Sequence, residues 1–268
     1  MSDAADPEVA LTGLVICHNE VGRIGACLAS LGFCDEILVL DSGSTDGTQA
    51  ICAQAGARVV HRPFLNFADQ KDAGRAMARG RWVLVIDADE VVSALLQQEV
   101  RAIADRGGEP GVDAYRMPFR NHFRDTWVRR AGYYPDPHVR LLRRDRAHFD
   151  PATPVHEKVR VQGTIGDLRG HVDHHSFVSL DHFLAKSSRY ADRFARAAHA
   201  EGRRAGVGDI FVHTLGRFVR AYVVKLGFLE GTLGLVISGL QAYEVFQKYA
   251  RLWELGRWGT AGEGNRGP

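Results

Sequence analysis

The chain has 268 residues, of which 45% are hydrophobic and 25% charged, and its formal net charge is +2 at pH 7. These values are ordinary for a globular protein, and a net charge this small says little about partners. The N-terminus lacks the pattern of a signal peptide, and no window of about 20 uncharged apolar residues predicts a membrane-spanning helix. The four cysteines, Cys17, Cys27, Cys34 and Cys52, fit neither a zinc-binding nor a disulfide spacing, which favours a reducing cytoplasm.

Strands and helices alternate through the first 106 residues. Hydrophobic runs predict strands at Leu11–Cys17, Glu36–Asp41, Ala57–Val60 and Trp82–Ile86. Helical patterns lie between and after them, at Val21–Leu31, Thr48–Gln54, Asn66–Arg79 and Ser93–Arg106. This alternation predicts a parallel sheet built from βαβ units, in which ligands gather at the carboxyl ends of the strands.

The rest of the chain has a different character. Residues 111–169 are rich in Arg, Tyr, Trp and Pro and contain short strand-like runs, Val139–Leu142 and Val155–Val161, which predict an antiparallel extension of the sheet. Three helical patterns follow, at Asp181–Ala200, Ile210–Leu226 and Gly231–Trp253. The tail after Gly256 is Gly-rich and is predicted to be disordered.

The stretch VIDADE at residues 85–90 ends an apolar run in three carboxylates, Asp87, Asp89 and Glu90. Like charges this close repel one another and raise each other's pKa, so something should offset them. Mg²⁺ or Mn²⁺ is the simplest candidate, because hard cations prefer oxygen ligands. Asp87 and Asp89 alternate along the backbone and can point the same way, whereas Glu90 would point elsewhere and could cap the next helix. A solvated acidic loop is the alternative.

A second cluster follows the strand that ends at Asp41, in DSGSTDGT at residues 41–48. An acidic residue, small residues and a helix start can together hold a base or ribose edge and admit a phosphate near helix N–H groups. An ordinary turn with capping residues explains the same letters equally well. His18, Asn19 and Glu20 follow the first strand and should reach the same edge of the sheet.

The order of these motifs resembles that of the family 2 glycosyltransferases with the GT-A fold. The resemblance covers roughly Leu11–Val92 and lies in ICHNE, EILVLDSGSTDGT and NFADQKDAGRAMARGRWVLVIDADE. Three later segments, YYPDPHVRLLRRD, VHEKV and HHSFVSLDHFLAKSSRYA, resemble the bacterial enzymes that add glucose to a heptose of the lipopolysaccharide inner core. The resemblance implies an α/β fold with a mixed, mainly parallel Rossmann-like sheet flanked by helices. The pattern of the later helices predicts a C-terminal helical extension that associates with membrane.

It also implies a division of the chain. Residues 1–10 would be a flexible N-terminus, and residues 11–180 a GT-A catalytic domain. Within that domain, residues 11–110 would bind the nucleotide sugar and residues 111–180 would carry the acceptor site and the base. Residues 181–255 would form an amphipathic helical region, and residues 256–268 a disordered tail.

The resemblance assigns roles on the donor side. Asp41 would contact the uracil or ribose of a UDP-sugar, and the backbone around Cys17, Asn19 and Glu20 would line the same pocket. Lys71 and Asp72 occupy the place where the family reads the nucleotide. Asp87 and Asp89 fill the family's D-x-D motif, with Asp87 nearer the ribose and Asp89 as ligand of Mg²⁺ or Mn²⁺, which would neutralise the diphosphate leaving group.

On the acceptor side, inversion requires a base within about 3 Å of the acceptor hydroxyl. The resemblance points to Glu157 with His156 beside it, although this His-Glu pair departs from the family's common Glu-Asp form. A strand residue paired with Lys158 or Arg160 is the alternative for Glu157. His174, near His171 and His175, matches a histidine that helps to hold the metal or diphosphate, and a cluster of surface histidines is the alternative. Five arginines make a basic strip suited to a phosphorylated acceptor: Arg129, Arg130, Arg140, Arg143 and Arg144.

The C-terminal third is basic, with nine Lys or Arg and three Asp or Glu from Lys186 to Lys225. In Ile210–Leu226, one helical face carries Phe211, Leu215, Phe218 and Tyr222, and another carries His213, Arg217 and Arg220. This pattern is typical of a helix that lies on an anionic membrane. Packing against the catalytic domain or at a dimer contact is the alternative.

These features predict an inverting, metal-dependent glycosyltransferase that moves a sugar, first of all glucose, from a UDP-sugar to a lipopolysaccharide core heptose or similar phosphorylated glycolipid. We expect it at the cytoplasmic side of the inner membrane, held peripherally. Polyprenyl phosphate or a protein could be the acceptor instead. A sugar nucleotidyltransferase would need a Gly-rich basic loop after the first strand, which CHNEVGRIG is not. A nucleic-acid or membrane-binding module would leave DADE unexplained, and no nucleic-acid partner is expected. A homo-oligomer is left open.

Overall fold

A computed structural model describes residues 9–150, 158–177 and 179–259 of the chain. The described residues divide into two compact units. The first comprises residues 9–120 and 136–174, and the second comprises residues 121–135 and 175–259. The predicted division at residue 180 did not anticipate that segment 121–135 belongs with the C-terminal helices.

The elements follow one another in this order: β1 (Leu11–Cys17), α1 (Ile24–Ser30), β2 (Glu36–Asp41), α2 (Thr48–Gln54), β3 (Arg58–His61), α3 (Phe67–Met77), β4 (Trp82–Asp87), β5 (Glu90–Val92), α4 (Ala94–Arg106), β6 (Val112–Phe123), β7 (Thr126–Trp127), β8 (Asp136–Arg143), β9 (Ala147–Phe149), β10 (Val159–Val161), β11 (Thr164–Asp167), β12 (Val172–Phe177), α5 (Leu180–Ala200), α6 (Val207–Val219) and α7 (Gly231–Trp258). A π-helical turn, Arg220–Val224, and a 3-10 turn, Gly227–Glu230, connect α6 to α7.

The strands form one mixed sheet in the order β3-β2-β1-β4-β8-β6-β12-β5. The four strands β1, β2, β3 and β4 run parallel to one another. β8 runs antiparallel to both β4 and β6. β9 and β10 pair with each other in a separate antiparallel ladder. The predicted fold class, a mixed α/β sheet flanked by helices with C-terminal helices after it, is confirmed, and so is the antiparallel extension after residue 111.

Both faces of the parallel strands are covered, which explains their continuous apolar runs. Leu11 and Val15 of β1 pack in one core with residues of α1 and α4, whereas Leu14 and Ile16 pack in another with Ala68 of α3. β4 alternates in the same way, so Val83 and Val85 lie on the α3 side. Asp87 continues that alternation and is therefore directed to the α3 side of the sheet.

The second unit consists of the end of β6, β7, α5, α6, the two turns and α7. Its first apolar cluster contains Val128, Ala131, Ala221 and Ile237, and its second contains Ala195, Ala198 and Leu252. The backbone N–H of Ala131 donates to the carbonyl of Lys225 at 3.0 Å, and Gln241 Nε2 donates to the carbonyl of Ala131 at 3.0 Å. These contacts fasten segment 121–135 to the α6–α7 connection and to α7.

Two details of the C-terminal helices differ from the sequence prediction. The predicted helix Ile210–Leu226 is α-helical only to Val219 and then changes to a π-helical turn. α7 runs through Gly256 to Trp258, where the predicted tail had already begun, and the Trp258 ring packs edge-on against that of Trp253 with 5.0 Å between the ring centres. Within the described residues, no single helix has the length and apolarity to cross a membrane, although the bent pair Val207–Val224 and Gly227–Trp258 meets that test of length and composition when taken together.

Candidate active site

Two loops at the carboxyl edge of the sheet are hydrogen-bonded to each other. One follows β1 and the other follows β2. Asn19, in the left-handed conformation with φ 57°, donates its backbone N–H to Ser44 Oγ at 2.9 Å and accepts the N–H of Thr45 on Oδ1 at 2.9 Å. The N–H of Glu20 donates to Thr48 Oγ1 at 2.8 Å. The predicted convergence of these two segments is present in the structure.

Asp41 organises the second loop from its base. Its side chain is fully buried and accepts from the N–H of Gly43 at 3.0 Å, from the N–H and hydroxyl of Ser44, and from Gln49 Nε2 at 2.6 Å. Burial would raise the pKa of Asp41, but the hydrogen bonds from Ser44, Gln49 and Gly43 outweigh it and hold that pKa below its ordinary value. Cys17 Sγ lies 3.5 Å from Asp41 Oδ1. In this structure Asp41 therefore stabilises the loop after β2 through hydrogen bonds, and Cys17 packs against Asp41.

Asp87 and Glu90 are compensated by two cations of the protein itself. Lys71, from α3, places Nζ 3.0 Å from Asp87 Oδ1 and is 1% exposed. Arg140, from β8, places one guanidinium nitrogen 3.2 Å from Asp87 Oδ2 and 3.2 Å from Glu90 Oε1. Glu90 also accepts the backbone N–H of Asp87 at 2.8 Å. These four residues form one charge-balanced network beneath the rim of the sheet.

This network changes the explanation of the DADE cluster. Burial would raise the pKa of Asp87, but Lys71 and Arg140 outweigh it and hold that pKa well below its usual range. Burial raises the pKa of Glu90, and Arg140 offsets only part of that increase. A metal ion is thus not needed to balance either group. The expectation that Glu90 caps the next helix was wrong, because Ser93 caps α4 by accepting the N–H of Leu96.

Asp89 faces a different set of groups. Its Oδ2 lies 3.6 Å from His174 Nε2, on β12, and 3.5 Å from a guanidinium nitrogen of Arg23. Arg23 also pairs with Glu20 at 2.5 Å, which joins the β1 loop to this corner. Burial would raise the pKa of Asp89, and its contact with His174 lowers it below the ordinary value. Among the three carboxylates of DADE, only Asp89 lies outside the contacts of Lys71 and Arg140.

Asp89 and His174 fit a site for Mg²⁺ or Mn²⁺. A carboxylate oxygen and an imidazole nitrogen that face each other at 3.6 Å are a suitable pair of donors for one ion. No group of three or more His, Cys, Asp or Glu suited to a metal occurs within the described parts of the chain. An ion here would take its other ligands from water and from a substrate diphosphate, which is how Mg²⁺ is commonly held.

The three histidines of GHVDHHSF separate in the structure. His174 faces Asp89, whereas His171 lies 3.4 Å from Asp173. The His175 ring packs against that of His122 at 4.9 Å, within the second unit. These three described residues therefore do not form the surface cluster that was the alternative interpretation, and of the three only His174 contacts a carboxylate of DADE. Phe119 lies beneath His174 and Arg140, with its ring centre 6.3 Å from that of His174.

Asp72, expected near the nucleotide, is held by other groups. It accepts from Arg75 Nε at 2.7 Å and from the N–H of Phe149 at 3.1 Å, and so ties α3 to β9. β9 pairs with β10, and the backbone N–H of Asp150 donates to the carbonyl of Lys158 at 2.9 Å. The predicted base Glu157 and its neighbour His156 fall between these strands in the sequence and lie outside the described residues.

The three arginines of the predicted basic strip that lie in the first unit are held by three different sets of groups. Arg140 is directed inward to Asp87 and Glu90, Arg143 lies 3.7 Å from Asp113, and Arg144 donates to the carbonyl of Ala78 at 2.8 Å. Arg129 stacks over Trp127, and both it and Arg130 are in the second unit. Sequence reasoning missed the roles of Arg140 and Arg23. For Arg140, an available signal was a single cation within the otherwise apolar run VRLL, because a buried charge requires a partner.

Residues 14–155 match the profile of the family described as Glycosyl transferase family 2. Over 263 residues the chain is 28% identical to the lipopolysaccharide core biosynthesis glycosyltransferase LpsC of Rhizobium meliloti, covering 91% of this chain and 94% of that protein. It is also 28% identical over 255 residues to an uncharacterized glycosyltransferase of Rickettsia bellii, covering 91% and 86%.

Two solved structures superpose on part of this chain. Glucosyl-3-phosphoglycerate synthase from Mycobacterium tuberculosis, in complex with Mn²⁺, UDP and glucosyl-3-phosphoglycerate, superposes with a TM-score of 0.35 at 25% identity, over 42% of this chain and 44% of that one. TarS of S. aureus superposes with a TM-score of 0.44 at 15% identity, over 83% and 45%. The profile match covers more than half of the chain and includes the loops after β1 and β2 and the strands that carry Asp87, Glu90 and Arg140, and the chain therefore belongs to glycosyl transferase family 2.

Proposed function

We propose that this family 2 glycosyltransferase is inverting and metal-dependent, and that it transfers a hexose from a UDP-sugar to a lipopolysaccharide core heptose or a similar phosphorylated glycan. Glucose is the first sugar to test. The observation that carries the proposal is that Asp89 faces His174 at the carboxyl edge of the sheet, outside the contacts by which Lys71 and Arg140 hold Asp87 and Glu90.

The residues of the chain have distinct parts in this proposal. Asn19, Asp41 and Ser44 hold the two loops that would receive the nucleotide, with Asp41 acting through the backbone it positions. Asp89 and His174 would hold Mg²⁺ or Mn²⁺, which supplies neutralisation of the departing diphosphate when bound. Lys71 and Arg140 keep Asp87 ionised and fixed beside that position, where it would meet the ribose. Glu157, with His156, would take the proton of the acceptor hydroxyl.

The name of the Rhizobium relative supports the acceptor class, and the Mycobacterium complex contains UDP and Mn²⁺. An acceptor of this kind is amphiphilic, so we place the enzyme at the cytoplasmic face of a membrane, attached peripherally. Cytoplasmic placement also agrees with four cysteines that are all free thiols.

A panel of nucleotides tests the donor and the metal together. UDP, GDP, ADP and CMP are each added with Mn²⁺ or with EDTA, and thermal unfolding is followed. A ligand that binds only the folded state stabilises it by about 2.7 kcal/mol at a hundredfold excess over Kd. We expect stabilisation by UDP that requires Mn²⁺ and is lost in Asp89→Ala. A preference for another nucleotide, or none, contradicts the donor assignment.

Transfer itself is tested with UDP-glucose and a heptose-containing core oligosaccharide, by mass spectrometry of the product. We expect an added mass of one hexose and a β linkage, since inversion of the α-linked donor requires it. Glu157→Gln should abolish transfer while UDP binding persists. An α-linked product would refute inversion, and full activity of Glu157→Gln would refute the assigned base.

A further inference from the structure

The connection between α6 and α7 exposes an unusual number of apolar side chains. Six of them, here called the elbow surface, are each 41% to 66% exposed: Val219, Val223, Val224, Leu226, Phe228 and Leu229. Ala221 and Gly227 lie among them in the sequence and are buried. Ala221 packs with Val128, Ala131 and Ile237, so the connection is anchored on one side and apolar on the other. Contiguous exposed apolar surface of this kind marks a site of interaction.

The outward face of α6 continues this apolar surface. Val207, Phe211 and Leu215 follow one another at intervals of four residues and are 75%, 66% and 48% exposed. No residue of α6 is buried. The apolar face expected from the sequence is divided, because Phe218 stacks on Tyr222 at 5.3 Å and both rings are half-buried. Phe211 and Leu215 are left facing outward.

The charged side chains between residues 210 and 229 are all cations. Arg217, Arg220 and Lys225 are exposed, and none of them forms an ion pair with another described residue. From residue 210 to residue 229 the sequence contains no Asp or Glu. Cations beside exposed apolar side chains match the interface of an anionic bilayer, where phosphate groups border the acyl chains.

We propose that the elbow surface and the outward face of α6 bind the interface of an anionic phospholipid bilayer. The apolar side chains enter the boundary between headgroups and acyl chains, and Arg217, Arg220 and Lys225 contact lipid phosphates. The charges favour a bilayer over a second copy of the chain. From residue 207 to residue 230 each copy carries three cations and two carboxylates, Asp209 and Glu230, so a two-fold contact through this surface would bring like net charges together. The inference identifies the attachment surface and does not depend on the identity of the donor.

Co-sedimentation of the full chain with vesicles tests the proposal. Vesicles of phosphatidylcholine alone are compared with vesicles containing a quarter phosphatidylglycerol. The double variant Val224→Glu with Leu229→Glu removes the apolar contact, and a triple variant replaces Arg217, Arg220 and Lys225 with Gln. Leu95→Glu is the matched control, because Leu95 is an equally exposed leucine, at 50%, on α4 of the first unit. Circular dichroism and melting temperature establish that each variant is folded.

The wild type should bind phosphatidylglycerol vesicles at least tenfold more tightly than phosphatidylcholine vesicles, and added salt should weaken that binding. The double variant should lose most binding to both, the triple variant should lose the preference for phosphatidylglycerol, and Leu95→Glu should behave as the wild type. The proposal is overturned by a wild type that binds neither vesicle or by a double variant that binds as the wild type does. It is equally overturned by a solution dimer that the double variant makes monomeric, or by resistance to alkaline carbonate, which would indicate a spanning segment.

Discussion

Asp87 and Asp89 are two residues apart on one backbone and have different surroundings. Asp87 lies on the α3 side of the sheet, where Lys71 and Arg140 reach it. Asp89 comes after the strand has ended and meets His174 and Arg23. Asp87 is therefore held by Lys71 and Arg140, whereas Asp89 lies against Arg23 and His174, where we propose that it binds a metal ion.

Arg140→Met tests the buried half of this arrangement. The substitution leaves Asp87 with Lys71 alone and leaves Glu90, which is fully buried, without its cation. Removing one partner of a buried ion pair is expected to lower the free energy of unfolding by about 3–5 kcal/mol. Urea denaturation measures this loss. Arg146→Met is the matched control, since Arg146 is an exposed arginine of the same region and should cost less than about 0.5 kcal/mol.

A second substitution separates lost charge balance from lost packing. The double variant combines Arg140→Met with Glu90→Gln. The Glu90 carboxylate, which Arg140→Met leaves without its partner, is replaced by a neutral amide. The double variant should be more stable than the sum of the two single changes predicts, by about 1–3 kcal/mol. Strict additivity would show that Arg140 and Glu90 act independently and would contradict the network.

The sequence was enough to predict which residues lie near Asp89, but not which of them contact one another. Asp89 and His174 were both expected at the metal, and strand alternation accounts for why His175 is directed elsewhere. The partnership of Arg140 with Glu90 joins positions 50 residues apart, on β8 and β5, which are not neighbours in the sheet. No local pattern encodes such a pairing, because it depends on how the antiparallel strands are placed after the parallel ones.

At the scale of the elements, the hydrogen bonds that join the loop after β1 to the loop after β2 depend on Asn19. Asn19→Ala removes the Oδ1 acceptor of Thr45 and places a Cβ-bearing residue at φ 57° without the local hydrogen bonding of Asn. A loss of about 1–2 kcal/mol in unfolding free energy is expected, together with weaker UDP binding. Asn19→Gly relieves the backbone cost but not the lost hydrogen bond, so its stability should lie between those of the wild type and Asn19→Ala. If Ala and Gly are equally tolerated, the conformation at this position does not matter.

β12 reaches the site through a close approach at Gly170. A Cβ added there would lie 2.3 Å from the backbone N of Leu96 on α4, which neither element can accommodate without moving. Gly170→Ala should lower stability by about 1–3 kcal/mol and displace the start of β12, and with it His174. Thermal unfolding and UDP-dependent Mn²⁺ binding are the measurements. Gly22→Ala is the control, because a Cβ at Gly22 meets nothing within 4 Å, and it should change neither quantity.

The reliability of the element predictions followed the strength of the periodic signal. The four βα repeats were placed within a few residues, because their strands are apolar on both faces and capping residues mark helices such as α3 and α4. The break at Val219 was missed, since the hydrophobic period continues through the π-helical turn. Segment 121–135 was assigned to the acceptor region because it lies there in the sequence, whereas its contacts are with the α6–α7 connection and α7.

At the scale of the whole molecule, each of the two units should unfold locally as a separate cooperative unit. Segment 121–135 contributes Val128 and Ala131 to the apolar cluster around Ala221 and Ile237. Its amide hydrogens should therefore exchange at the same rate as those of the helices in residues 207–258, and not with those of β8. Native-state hydrogen exchange measures this, and Gln241→Leu, which removes the donor to Ala131, should speed exchange in both segments together. Exchange of segment 121–135 in step with β8 would contradict the division into units.

The most direct test of the account is the binding of Mn²⁺ in the presence and absence of UDP, followed by the electron paramagnetic resonance signal of the free ion. The wild type should take up one Mn²⁺ with UDP present and bind it much more weakly without UDP, because Asp89 and His174 supply only part of the ligand set. Asp89→Asn should raise the Kd at least tenfold with little change in unfolding free energy, and the exposed Asp145→Asn should bind as the wild type does. Unaltered, UDP-dependent Mn²⁺ binding by Asp89→Asn would show that the metal lies elsewhere and would contradict the assignment of this site.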